Sequence, residues 1–193
     1  VDPARLVRRA VAADEEFLWV GQGKDAVRIP RAKVFVASVG KASAAMASAV
    51  AAMAPEVPGV VIAPPGGPRL ETGQILQCEG NHPIPGPGSF AATEVLLDAV
   101  DRTPEDTEIL FLLSGGASAL FARPHEGVTR SQKAAFTDQM LRAGAPIGLL
   151  NRARLRLSAL KGGRFLARVA PRRVSSLVLS DVPGGADWEI GSG

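Results

Sequence analysis

Glycine, hydroxyl and charged residues fall together in three short stretches, Ser38-Val39-Gly40-Lys41, Ser114-Gly115-Gly116-Ala117-Ser118 and Ser180-Asp181-Val182. In the second, paired glycines permit a turn that exposes backbone N–H groups between two hydroxyls, the composition of an anion nest. Lys41 contributes a compact ammonium, and Asp181 a carboxylate suited to hold Mg2+ or to accept a proton from a hydroxyl. Such groups gathered on one rim suit a phosphate and its metal. Each stretch also has a plainer reading: a tight turn for the glycines, a solvated side chain for Lys41, a turn or cap for Asp181.

The most basic stretch runs from Arg152 to Arg173. Such a run is commonly a solvated helix face. Helical spacing nevertheless puts Asn151, Arg154 and Ser158 on one side, leading to Lys161, a face able to clamp a carboxylate or phosphate. Lys161, like Lys41, adjoins glycine. His82, in Asn81-His82-Pro83, is a further binding candidate, although a lone histidine more often serves structure. His125 reads as a surface residue, and no Ser/His/Asp triad or metal-type histidine cluster stands out.

Two familiar phosphate motifs are excluded. Gly40-Lys41 is not a Walker A loop, because Phe35 occupies the place of its first glycine and Ala42 that of its Ser/Thr. Gly21–Ala26 imitates a dinucleotide fingerprint, but no helix follows before Pro30, so it reads as a hairpin turn.

The elements that must position these residues alternate. Asp2 and Pro3 open an amphipathic helix carrying Leu6, Val7, Ala10, Val11 and Phe17. Residues 33–38 read as a buried strand and 42–53 as an alanine-rich helix; 59–63 and 75–78 are further strands. Ser89 caps the next helix, and 108–113 is the clearest strand. Thr129 and Gln132 form a capping box for a helix ending at Gly144, and Pro146 opens another. A basic helical segment from 149 to 169, broken at Gly162-Gly163, precedes a last strand at 176–180. This order predicts an α/β fold, a Rossmann-like three-layer sandwich with a mainly parallel sheet and ligand loops at the strands' carboxyl ends.

Composition narrows the partners. In 193 residues, aromatics are 5% and tyrosine is absent, which leaves little for a base-stacking nucleic-acid platform. The net charge of +3 is too small to predict a polyanionic macromolecule, and no apolar run approaches a membrane span. A single cysteine, Cys78, excludes an internal disulfide, reads as a buried apolar residue, and fits a cytoplasmic setting. The chain starts at Val1 and leaves 12 residues after Asp181, so the expectation is a piece of a larger protein.

Together Val39-Gly40-Lys41-Ala42, His82-Pro83-Ile84-Pro85, Leu113 through Leu120, Asn151 through Gly163 and Leu179-Ser180-Asp181-Val182 resemble the glycerate 2-kinases of the MOFRL type, many of which carry an older hydroxypyruvate reductase label. The resemblance covers the chain from about residue 2 to its end. It implies a transferase that moves the γ-phosphoryl group of ATP to the 2-hydroxyl of D-glycerate with Mg2+, in a site between two domains. Residues 1–193 would be the N-terminal α/β domain, and the C-terminal domain would be absent. It further implies Lys41 as a phosphate-neutralising cation and Asp181 as a metal or hydroxyl partner. Gly40, His82, Ser114, Gly115, Gly116, Ser118, Asn151, Arg154 and Lys161 would bind substrate or nucleotide. Gly86 and Gly185 stand where the family pattern has Asp, and the closing Ser-Gly-Pro-Thr run stops at Ser192-Gly193, so this chain alone is expected to be inactive.

Two other readings stay open at the level of sequence. One is an NAD(P)H-dependent hydroxypyruvate reductase, and the other a non-catalytic anion-binding module. Strand order, homo-oligomerisation and the division of the site between ATP and glycerate are not readable.

Overall fold

The structure is a computed structural model that describes residues 2–70 and 73–180. Asp181, Gly184, Gly185, Asp187 and Ser192-Gly193 therefore lie outside the described residues.

Five strands build the main sheet: β4 (Val34–Val39), β5 (Gly59–Ala63), β6 (Ile75–Glu79), β7 (Glu108–Ser114) and β8 (Val174–Leu179), in the order β6-β5-β4-β7-β8. Every pairing is parallel. β4 and β5 are buried at every position, as central strands covered on both faces must be. Their side chains alternate between two cores. Val34, Val36, Val61, Leu110 and Leu112 face α1 (Pro3–Ala10) and α2 (Ser43–Met53). Phe35, Ala37, Val39, Ile62 and Ile109 face α3 (Pro87–Asp101), α4 (Ala117–Leu120) and α7 (Arg164–Val169). The expected three-layer sandwich is present. α5 (Arg130–Arg142) and α6 (Ile147–Arg156) pair beyond the α4 end, and the capping box at Thr129 and Gln132 is formed.

Three local expectations need correction. The opening helix stops at Ala10 rather than running toward Phe17. The Asp14 carboxylate accepts N–H bonds from Glu16 and Phe17 at 2.9 and 2.8 Å, turning the chain back. β1 (Val11–Ala13), β2 (Phe17–Val20) and β3 (Val27–Pro30) then form a separate antiparallel sheet. Gly21–Ala26 lies in the β2–β3 connection, the expected hairpin turn.

Ser89 is not the α3 cap. Gly86 holds that position, and the Ser89 hydroxyl bonds both backbone groups of Asn81, at 2.8 and 3.1 Å. The basic helical segment breaks earlier than Gly162-Gly163, with α6 ending at Arg156. Ser158 consequently leaves the helical face shared by Asn151 and Arg154. Its hydroxyl accepts the N–H groups of Leu160 and Lys161 at 3.2 and 3.4 Å, and so shapes the turn toward α7.

Candidate functional site

β4 and β7 are parallel neighbours, so their carboxyl ends meet on one rim. The contact there is close. A methyl on Gly40 (φ +131) would stand 2.6 Å from the Ser114 carbonyl oxygen and overlap the Ser114 hydroxyl. Glycine is thus required at position 40 both for its backbone angle and for space. The Lys41 N–H donates to the Gly115 carbonyl at 2.8 Å, and the Ala42 N–H donates to the buried Ser114 hydroxyl at 3.1 Å. Ser114 therefore acts from behind the rim and fixes the two strand ends together.

Lys41 precedes α2 by two residues and its side chain is exposed. Gly116 is left-handed (φ +88) and N-caps α4. A Cβ there would lie 3.1 Å from His82 Nε2 and 3.2 Å from Lys41 Cγ, so Gly116 floors a gap between the two side chains. His82 reaches this gap from the 80–86 loop after β6, and the His82–Pro83 peptide is cis. Burial lowers the His82 pKa, and the charges of Lys41 and Arg154 lower it further. Ser118, the second residue of α4, lies partly buried on the same side of the sheet.

Behind the rim sits a second set of cations. Asn151 and Lys161 are buried and Arg154 is partly buried. Burial pushes the Lys161 ammonium down to about 7, helped by Lys133 and Arg154. Lys133, at 2% exposure, is pushed down to about 8 by burial and by Arg154. Desolvation also lowers Arg154. Sequence reasoning missed Lys133: nothing in the pattern around Gln132-Lys133-Ala134 marks a buried charge, which arises only when α5 meets the turn after α6.

Lys41, His82 and Gly116 thus come together from three places in the chain, with Arg154 coupled electrostatically to His82, Lys133 and Lys161. The set is cationic through Lys41, exposed at the rim, and Arg154, Lys133 and Lys161, which are partly or wholly buried. It offers no metal site of its own: no cluster of three His, Cys, Asp or Glu side chains able to hold an ion exists among the described residues. Asp181, the residue assigned to a metal, cannot be placed, being outside them. Gly86 faces the Asn81 side chain, which a Cβ would approach to 2.6 Å.

The family described as "Domain of unknown function (DUF4147)" matches residues 1–193. The chain belongs to the DUF4147 family. This DUF4147 chain is 39% identical over 163 residues to a D-glycerate 2-kinase of Thermotoga maritima, covering 83% of this chain and 39% of that protein. It is 39% identical over 166 residues to an Agrobacterium vitis protein with a provisional hydroxypyruvate reductase name, covering 85% and 38%. A crystal structure of a Pyrococcus horikoshii protein superposes with a TM-score of 0.86 at 34% identity, covering all of this chain and 43% of that one. The DUF4147 chain spans about two fifths of the length of these relatives.

Proposed function

We propose that the full-length protein is a glycerate 2-kinase, transferring the γ-phosphoryl group of ATP to the 2-hydroxyl of D-glycerate, and that residues 2–180 form one wall of its site. The observation that carries this reading is the convergence of Lys41, His82, Gly116 and Arg154 at the carboxyl ends of β4 and β7. Phosphoryl transfer asks a protein mainly for positioning and charge neutralisation, which such a rim supplies. Lys41, exposed and backed by the Gly115 carbonyl bond, is placed to neutralise the moving phosphoryl group. His82, kept largely neutral near pH 7 by its surroundings, can hydrogen-bond substrate without adding charge.

Mg2+ would accompany ATP, and Asp181 remains the proposed partner for it or for the glycerate hydroxyl. A C-terminal domain would complete the cleft, in keeping with the partial coverage of the relatives. We assign the enzyme to the cytoplasm, where ATP is available; the single thiol, Cys78, is compatible with that setting. No helix among the described residues is long and apolar enough to cross a membrane.

The test is direct. Full-length protein given ATP, Mg2+ and D-glycerate should form 2-phosphoglycerate, followed by phosphorus NMR. Oxidation of NADH with hydroxypyruvate and no phosphoglycerate would replace this reading with the reductase named among the relatives.

A further inference from the structure

Arg164 stands where its charge is least welcome. It is the first residue of α7, where the helix dipole disfavours a cation, and among the described residues it has no carboxylate partner. Its guanidinium reaches back instead to the end of α6, where the same dipole rule favours a cation. Nη1 donates to the carbonyls of Leu155, Ser158 and Lys161 at 2.9, 3.2 and 3.0 Å. The Leu155 bond lies at the surface, where water could take the place of the guanidinium and spare the ordering of a long side chain. One group gathering carbonyls from across residues 155–161 therefore fixes the shape of that turn.

The turn is tied to the rim through the backbone. Leu157 O accepts the His125 N–H at 3.1 Å, the Ala159 N–H donates to the Arg123 carbonyl at 3.0 Å, and Pro124 and Ser158 form an antiparallel bridge. Residues 123–125 lie just after α4, whose N-cap, Gly116, floors the gap between His82 and Lys41. Lys133 braces the turn from α5, but its Nζ bonds only the Leu157 carbonyl, at 3.0 Å. On its other side the turn continues α6, which carries Arg154 in its last turn. Arg154 is partly buried, and among the described residues its guanidinium has no hydrogen bond or ion pair. Nothing holds its tip, so its place is set by the backbone from which it extends. Its charge still reaches the His82 ring, whose pKa is lowered by burial first, then by Lys41 and Arg154.

We propose that Arg164 is a positioning residue for the reaction: by gathering the Leu155, Ser158 and Lys161 carbonyls it fixes the end of α6 against the segment after α4, and so sets where the Arg154 guanidinium stands relative to His82 at the rim. The clamp is defined by its own bonds and rests on the kinase reading only in what the aligned rim then does.

The experiment follows the His82 ring by NMR titration of the full-length protein, its signal identified by its loss in His82→Gln. Arg154→Met removes one of the two charges acting on the ring and should move its titration to higher pH. Arg164→Gln releases Arg154 and should move it the same way. Arg164→Lys keeps the charge but cannot span three carbonyls, so its shift reports geometry alone, and it serves should the Gln variant fail to fold. Both Arg164 variants should lower kcat for phosphoglycerate formation by about tenfold or more, the scale of a displaced charge at a reacting centre. In an Arg154→Met background neither should shift His82 further. An unmoved titration in the Arg164 variants, a shift that persists without Arg154, or a kcat like that of wild type overturns the proposal. A shift that depends on Arg154 in a protein that forms no phosphoglycerate would uphold the clamp and remove the kinase reading alone.

Discussion

The backbone N–H of Lys41 donates to the carbonyl oxygen of Gly115 at 2.8 Å, joining the turn after β4 to the turn after β7. With the Ala42 N–H on the Ser114 hydroxyl, this bond converts two loops into one rigid rim. The lysine side chain is thereby aimed from a fixed backbone rather than from a mobile connection, which is what preorganised charge stabilisation requires.

Gly40 should tolerate no side chain. Gly40→Ala adds a methyl that meets the Ser114 carbonyl at 2.6 Å, at a φ of +131 that L-residues rarely adopt. The expected loss is about 2–4 kcal/mol of stability, read as a lower urea midpoint. Ser114→Ala removes only the Ala42 bond and should lose about 1 kcal/mol. Equal midpoints for wild type and Gly40→Ala would mean that the rim is not packed as described.

Lys41→Ala separates chemistry from folding. The side chain is exposed, so its removal should leave the urea midpoint within about 0.5 kcal/mol of wild type. Phosphoryl transfer by the full-length protein should fall about a hundred- to thousandfold in kcat. Turnover like that of wild type would remove Lys41 from its assigned role.

The parallel sheet was legible because its central strands are continuous apolar runs bounded by glycine turns, and burial on both faces leaves no other choice. Lys41, the Ser114–Ser118 turn and His82 were legible through their neighbours in sequence. The β1–β3 sheet was not, since Val11 and Phe17 continue a helical period that only the Asp14 turn interrupts. Ser158 was misplaced for a related reason: Leu157 ends the helix in a conformation that Leu-Ser-Ala does not advertise. Lys133 left no trace, because its burial is created by a tertiary contact between α5 and the residues after α6.

The Gly86 position can be tested by coupling. Gly86→Asp introduces the carboxylate that the sequence resemblance leads one to expect, but its Cβ would meet the Asn81 amide at 2.6 Å, and that amide accepts the Gly88 N–H at 2.9 Å. The single variant should lose about 1–3 kcal/mol. In an Asn81→Ala background the added cost of Gly86→Asp should shrink by at least about 1 kcal/mol in a double-mutant cycle. Strict additivity would show that Asn81 does not decide which residue stands at 86.

The buried lysines give stability a defined dependence on pH. Folding lowers Lys161 from 10.5 to about 7 and Lys133 from 10.5 to about 8, both chiefly by desolvation. Between pH 7 and about 10 the unfolded chain therefore holds more protons than the folded one, and stability rises with pH across that window. Below about pH 7 both states carry the charge, so the penalty is complete and no longer changes. The urea midpoint of wild type should increase from pH 7 to pH 9. Lys161→Met, which removes the larger of the two shifts, should be more stable than wild type at pH 7 and show a flatter profile. Parallel profiles for the two proteins would mean that Lys161 keeps its proton when folded, and that burial at this position is offset within the chain itself.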